Sequence, residues 1–360
     1  VGRDGGRLLR TENCSVLGGT AEAGHQRRQA HLPLLLHPTA RRVAYVGSAT
    51  GISAGAALDH PIGSLRLVEL VPGVADAARR YFRDANGAVY EDPRTRVSLD
   101  DARNFFRSTD ERFDLVVADL FVPCRAGTGS VYTREHFEAV RARLAPDGVF
   151  CQWLPLYQLG EAELETLVAT FLDVFPKAAL FRGDFYGGYP IVALVGWTGA
   201  VAAPEDVAEA AVALAARGET DRWVTDPEGI FSLYVAPLSP FAEALSGVPR
   251  NDDAHPRIET LAARSHAGGS RGKERPVVGL DWLRFATRVA EAAAKTPDDV
   301  YPGLSEAARR ARLGGAALQA AGAFYVAGRP QDSARALEAA SSLLPPRLLR
   351  DAPADPTAAE

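Results

Sequence analysis

Short apolar runs recur between residues 41 and 198, and each is followed by a turn and then by a stretch with helical spacing. The first, Val43 to Val46, closes on Gly47 and Gly51 and leads through a helix to a second apolar strand ending in Glu69. A helix from about Gly73 to Phe82 follows, then a strand from Arg96 to Leu99, a short helix from Asp101 and the apolar strand from Asp114 to Asp119. The series continues with a helix from Thr133 to Leu144, a strand from Gly148 to Trp153 and a long helix from Glu161 to Phe175. Strands from Ala178 to Phe181 and from Pro190 to Trp197 close it. In the long helix, Leu164, Leu167, Val168, Phe171, Leu172 and Phe175 share one face at helical spacing. Strands alternating with helices predict an α/β fold built on a doubly wound, mostly parallel sheet, with ligand at the carboxyl ends of the strands.

The flanks are organised differently. Residues 1–40 are expected as an N-terminal β segment, with a hairpin from Arg7 to Val16 followed by Gly18-Gly19-Thr20 and the basic run Gln26-Arg27-Arg28-Gln29. His25, His31 and His37 recur every six residues, which places them on no common helix face and argues against a metal site. Residues 41–198 form the expected nucleoside-binding domain, and residues 199–270 an irregular extension with an Ala-rich helix from Glu205 to Arg217. His266 to Arg275 is expected as a linker, residues 271–350 as a helical region and residues 351–360, rich in Pro and Ala, as a disordered tail. Leu318, Ala321, Gly322, Tyr325, Ala334 and Pro346 sit at the offsets of one tetratricopeptide unit. A single unit cannot bury its own face, so a helical hairpin packed on the main domain is the better reading.

Composition narrows the function classes. The 360 residues allow a large core, and the net charge of -5 argues against a general binder of nucleic acid or anionic membranes. Cys14, Cys124 and Cys151 are an odd, scattered set that indicates neither a disulfide framework nor a zinc site, so a cytoplasmic location is expected. The apolar runs around Leu34–Leu36 and Ile191–Val195 are strand-sized, far short of a membrane helix, and no basic start precedes an apolar stretch as in a signal peptide. The chain opens on Val1 and contains no Met, which points to a non-standard start or a fragment.

Candidate chemistry gathers at the strand ends. Gly47-Ser48-Ala49-Thr50-Gly51 is a tight turn entering a helix, where backbone N–H groups can approach a ligand; Glu69 is placed to accept hydrogen bonds from ribose hydroxyls. Each acid at a strand end, Glu69, Asp100-Asp101 and Asp119, could alone be a helix cap or a solvated turn residue. Three in succession over one edge favour a site.

These stretches resemble the spermidine synthase-like (polyamine aminopropyltransferase) family, in its bacterial branch often fused to membrane segments. The resemblance covers about Leu9 to Glu259 and rests on Gly18-Gly19-Thr20 with RRQAHLPLLLHP, GSATGISAGAA, VELVPGV, DDARNFF and DLVVADLFVP, then GTGSVYTREHFE, LAPDGVFCQWLPLYQL, Tyr189-Pro190 and NDDAHPRIE. It implies a methyltransferase-like Rossmann fold with a seven-stranded sheet, a short N-terminal β-hairpin and a C-terminal helical extension. It also implies a co-substrate, decarboxylated S-adenosylmethionine or S-adenosylmethionine itself, bound by Gly47, Ser48, Thr50, Gly51, Glu69, Asp100 and Asp101, with no metal. Asp119 is then the catalytic base, and Gln152, Tyr157 and Tyr189 bind a small amine acceptor. A homodimer is implied too, without nucleic-acid or membrane partners for this chain. An alkyl amine with a pKa near 10.4 costs roughly 4 to 5 kcal/mol to present neutral at pH 7, so a carboxylate that binds it and accepts its proton is what the reaction needs.

Two departures from the family pattern bear on donor and acceptor. Thr50 stands where the true synthases carry an aspartate for the donor's amino group, and Val122 where they carry a second acid of the acceptor motif. Glu161, Asp184, Asp252 or Asp253 could substitute for the lost acid. Aminopropyl transfer therefore stands beside two alternatives: methyl transfer from S-adenosylmethionine to a small acceptor, and a non-catalytic nucleoside-binding or scaffolding role.

Overall fold

The computed structural model describes residues 6–11, 15–123, 127–268, 275–297 and 299–350. Cys14, Cys124, most of the expected linker and the expected disordered tail lie outside these residues. Strands β1 (Leu8–Thr11) and β2 (Ser15–Gly19) pair antiparallel as the expected hairpin. Helix α1 (Ala23–Leu36) then occupies a stretch that the β reading of residues 1–40 does not anticipate. It contains Pro33, and every residue from Arg28 to Leu36 is buried, so no polar stripe marks it in the sequence.

The alternating part follows as β3 (Arg42–Val46), α2 (Ile52–Ala56), β4 (Ser64–Glu69), α3 (Pro72–Tyr81), β5 (Thr95–Leu99), α4 (Ala102–Ser108) and β6 (Phe113–Ala118). It continues with α5 (Arg134–Arg143), β7 (Leu144–Pro155), α6 (Glu161–Val174), β8 (Ala178–Arg182) and β9 (Ile191–Trp197). Beyond it come α7 (Pro204–Ala216), α8 (Arg222–Thr225), α9 (Pro227–Leu233), β10 (Tyr234–Pro237), α10 (Arg257–Gly268), α11 (Gly279–Ala293), α12 (Glu306–Val326), α13 (Pro330–Leu343) and α14 (Pro346–Leu349).

One sheet holds strands β3 to β10 in the order β10-β8-β9-β7-β6-β3-β4-β5. The seven expected strands are all present. β10 adds an eighth, from the segment expected to be irregular, by pairing antiparallel with β8. β3 to β7 run parallel, and β9 lies antiparallel between β7 and β8. Alternate side chains enter opposite cores: Val43 and Tyr45 pack with α1, α2 and α7, whereas Ala44 and Val46 pack with α4, α5 and α6. Strand order reverses between β3 and β6, and such a switch point opens a crevice at the carboxyl ends of the two strands.

The C-terminal helices are part of this fold. Helices α12 and α13 pack as a hairpin, and α12 packs on α9 and α11 and reaches the β10 edge of the sheet. There the buried Arg182 donates to Gln319 Oε1 at 2.6 Å and to the carbonyls of Ser232 and Tyr234 at 3.1 and 3.0 Å. Burial, with help from the nearby Arg312 charge, lowers its pKa to about 9. Among the described residues no helix is long and apolar enough to cross a membrane.

His136 on α5 is wholly buried between Phe106 and Phe137, and neither ring nitrogen has a partner. Burial first, and then the Arg103 and Arg107 charges against an opposing Asp253, push its pKa down to about 3. An unfolded histidine titrates near 6.5, so the unfolded chain binds the extra proton between these two values and stability falls as pH drops through that window. Replacing His136 with Leu should raise stability by about 1–2 kcal/mol at pH 7. It should also remove about 2 kcal/mol of the loss between pH 7 and pH 5. Urea unfolding at the two pH values checks this; an unchanged pH slope would show that His136 is not held neutral.

Candidate functional site

β3 ends at the crevice, and its successor turn has an unusual backbone. Gly47 and Gly51 have φ of 80° and 77°, and Ala49 has φ of 45°. A left-handed alanine costs about 1–2 kcal/mol, so something must hold the turn. That restraint is Glu69. Its Oε2 accepts from Ser48 N at 3.0 Å, from Ser48 Oγ at 2.9 Å and from Ala49 N at 3.4 Å, while Oε1 accepts from Val71 N at 3.0 Å. A carboxylate offers about four acceptor positions, which leaves Oε1 the freer oxygen for a ligand hydroxyl.

Thr50 faces away from open solvent. It is 1% exposed, donates from Oγ1 to Gln26 Oε1 at 2.6 Å and accepts at Oγ1 from Ile52 N at 3.3 Å. Gln26 in turn donates to Gly19 O at 2.8 Å, which ties the hairpin and α1 to the turn. Buried Asn86 braces the other side by donating to Thr50 O at 3.1 Å and Ala78 O at 3.2 Å. The Tyr90 hydroxyl lies buried near Ser48 and Glu69, and burial pushes its pKa up to about 12.

At the ends of β5 and β6 stand the other acids. Asp101 caps α4 by accepting from Arg103 N at 2.8 Å, and Asp100 accepts from Asp101 N at 2.8 Å. Asp119 follows β6, directly beside the turn after β3. Burial raises its pKa above the ordinary carboxylate value, against the Leu120 N–H, which donates to Oδ1 at 2.8 Å, and the nearby Ser53 hydroxyl. Its charge is felt by Tyr45, Tyr132 and Cys151, whose pKa values all rise mainly through burial.

The residues expected on the acceptor side lie at the end of β7 and in the loop between β8 and β9. Gln152 pairs with Ala118 across β6 and β7; it is fully buried, donates to Trp153 O at 3.0 Å and leaves Oε1 without a partner. Tyr157 meets Tyr189 edge-on at 5.5 Å, and Tyr189 stacks with Tyr186 at 6.0 Å. Asp184 lies in the same loop. Its charge raises the pKa of Tyr157, second to burial.

The residues named from the sequence thus sort into two groups over one edge: Gly47, Ser48, Gly51, Glu69, Asp100 and Asp101 on one side of Asp119, and Gln152, Tyr157 and Tyr189 on the other. Thr50 is the exception, since its side chain is spent on Gln26. Gln26, Asn86 and Tyr90 gave no sequence signal, because each acts through a partner distant in the chain. Of the three spaced histidines only His31 joins a carboxylate cluster, with Asp59 and Glu219. Arg27 Nη2 lies 2.6 Å from Asp59 and 2.7 Å from Glu219, so the guanidinium already supplies the positive charge there. A surface depression lined by Arg42, Arg112, Arg141 and Asp173 opens at the amino ends of β3 and β7 and belongs to the opposite rim.

A glycine turn and acids at the switch point of a doubly wound sheet define an α/β domain with a candidate ligand crevice. Residues 22–182 match the family described as the spermine/spermidine synthase domain. Curated relatives include polyamine aminopropyltransferases of Serratia proteamaculans, 31% identical over 187 residues, and of Escherichia coli, 31% identical over 189 residues. Each alignment covers 51% of this chain, and the chain spans 65% of the length of those relatives. Among solved structures, a probable spermidine synthase from Corynebacterium glutamicum is 16% identical, with a TM-score of 0.46 over 69% of this chain and 92% of its own.

Because Glu69 restrains the turn, Glu69→Gln places an amide N–H₂ against donors. The variant should lose about 1–3 kcal/mol in urea unfolding, and an unchanged midpoint would show that the turn stands without the carboxylate.

Proposed function

We propose that the chain transfers an aminopropyl group from decarboxylated S-adenosylmethionine to a diamine or polyamine, with Asp119 as the base. The observation that carries this reading is Asp119 itself, a desolvated carboxylate at the switch point, between the Glu69-restrained turn and the aromatic acceptor side. On the donor side, Glu69 would hold the ribose, and Asp101 with its neighbouring backbone the adenine. Leu70 and Leu99, 65% and 57% exposed beside these acids, would cover the purine.

In the reaction the amine lone pair attacks the carbon next to the sulfonium. The carbon–sulfur bond breaks, its electron pair stays on sulfur to leave neutral methylthioadenosine, and the proton on nitrogen passes to Asp119. A carboxylate pushed upward by burial accepts that proton more readily than an exposed one. The leaving group needs no acid, so the chain supplies positioning and the base.

One observation favours methyl transfer as a second reading: the turn presents Thr50, bonded to Gln26, in place of a carboxylate for a donor ammonium. Incubating the chain with both donors plus putrescine and spermidine separates the two by mass spectrometry. Methylthioadenosine with an amine heavier by one aminopropyl unit is expected; S-adenosylhomocysteine would establish methyl transfer instead. Asp119→Asn should lower turnover by about 10²–10⁴-fold with nucleoside affinity nearly unchanged, and full turnover in that variant would remove Asp119 from the role.

A further inference from the structure

If the chain acts on a diamine, something other than position 122 must hold the amine's far ammonium. Glu161 pairs with Arg288 at 2.8 Å, Asp252 with Arg134 and His255 at 3.6 and 3.1 Å, and Asp253 with Arg103 and Arg107 at 2.5 and 3.0 Å. These three acids are neutralised on the surface. Asp184 differs. Among the described residues it has no cation within ion-pair distance, and its Oδ1 accepts only from the Tyr186 backbone N–H at 2.9 Å. Burial raises its pKa to about 6, against the charges of His25 and Arg28 and with that of Glu22. Arg28 is engaged elsewhere, with Nε on Asp221 Oδ2 at 2.6 Å and Nη1 on Gly183 O at 2.8 Å; His25 faces Glu22 at 3.1 Å.

Aromatic rings frame the carboxylate. Tyr157 meets Tyr189 edge-on and Tyr189 stacks with Tyr186, and the faces of such rings attract an alkyl ammonium. Tyr132, whose phenol is raised mainly by burial, lies within electrostatic reach of both Asp119 and Tyr157 and so links the two sides of the crevice.

The loop is held by the C-terminal helices. Gly187 and Gly322 of α12 approach so closely that a Cβ on Gly187 would lie 2.4 Å from Gly322 O, and one on Gly322 would lie 2.4 Å from Phe185 O. Gly279 N, opening α11, donates to Gly187 O at 2.8 Å, and Phe185 packs on Trp223 at 4.6 Å. A carboxylate left unpaired on a loop fastened at its ends is preorganised for a ligand cation.

We propose, on the basis of the aminopropyl-transfer reading, that Asp184 binds the distal ammonium of the acceptor, on a loop whose position is set by the C-terminal helix α12. The site takes amines with two separated cationic groups and discriminates against those with one. Calorimetric titration of the full chain, saturated with methylthioadenosine, with putrescine and with butylamine tests this without turnover. The wild-type chain is expected to bind putrescine at least ten-fold tighter than butylamine, and Asp184→Asn to abolish that preference while leaving methylthioadenosine affinity unchanged. Gly322→Val, which displaces the loop, should weaken putrescine in the same way. Equal affinity of the wild-type chain for the two amines would overturn the proposal whatever the variants do, as would a preference that survives in Asp184→Asn. Diamine binding through Asp184 with no methylthioadenosine formed from the decarboxylated donor would sink the aminopropyl reading and leave this amine site standing.

Discussion

The Glu69 carboxylate gathers the Ser48 N–H, the Ser48 hydroxyl and the Ala49 N–H onto one oxygen and thereby keeps a left-handed alanine in place between two left-handed glycines. The turn's own sequence does not favour that backbone. A buried acid at the end of the neighbouring strand supplies the restraint, and β3 and β4 are in register so that Val46 lies beside Val68. The same side chain therefore serves the fold and the candidate ligand site. Such double use is the expected form of strain at a functional site, where the surroundings over-determine a conformation the chain would not choose.

Around that turn the rest of the site is assembled by long-range packing. Gln26 brings the N-terminal hairpin to Thr50, and Asn86 braces the turn from behind. The acceptor side comes from a sheet segment in which β9 lies antiparallel to β7 and β8. α12 reaches the same loop from the far end of the sequence, through a glycine pair and the buried Arg182–Gln319 contact. The helical extension is thus a structural support of the β8–β9 loop, the proposed acceptor side. A single repeat-like hairpin could not stand alone, and here its apolar face packs on α9 and the β10 edge.

Much of this was legible in the sequence. Strands buried on both faces announce themselves as apolar runs, which is why β3, β6, β8 and β9 fall within a few residues of their expected bounds. β10 was hidden because four residues, one of them Pro, follow directly on α9. α1 was hidden because burial on all sides erases helical periodicity, and Pro33 counts against a helix. The acids at the strand ends were readable from position alone. What separates Asp184 from Glu161, Asp252 and Asp253 is the location of Arg288, Arg134, Arg103 and Arg107, and those pairings exist only after folding.

On the proposed reading, one crevice at the switch point holds nucleoside and amine together, on opposite sides of Asp119. A crystal structure of the chain with methylthioadenosine and putrescine tests it most directly. The account predicts ribose hydroxyls on Glu69, one amine nitrogen within hydrogen-bond distance of Asp119 and the other at Asp184. Nucleoside density in the depression by Arg42 and Arg112, or an amine seated away from both aspartates, would contradict it.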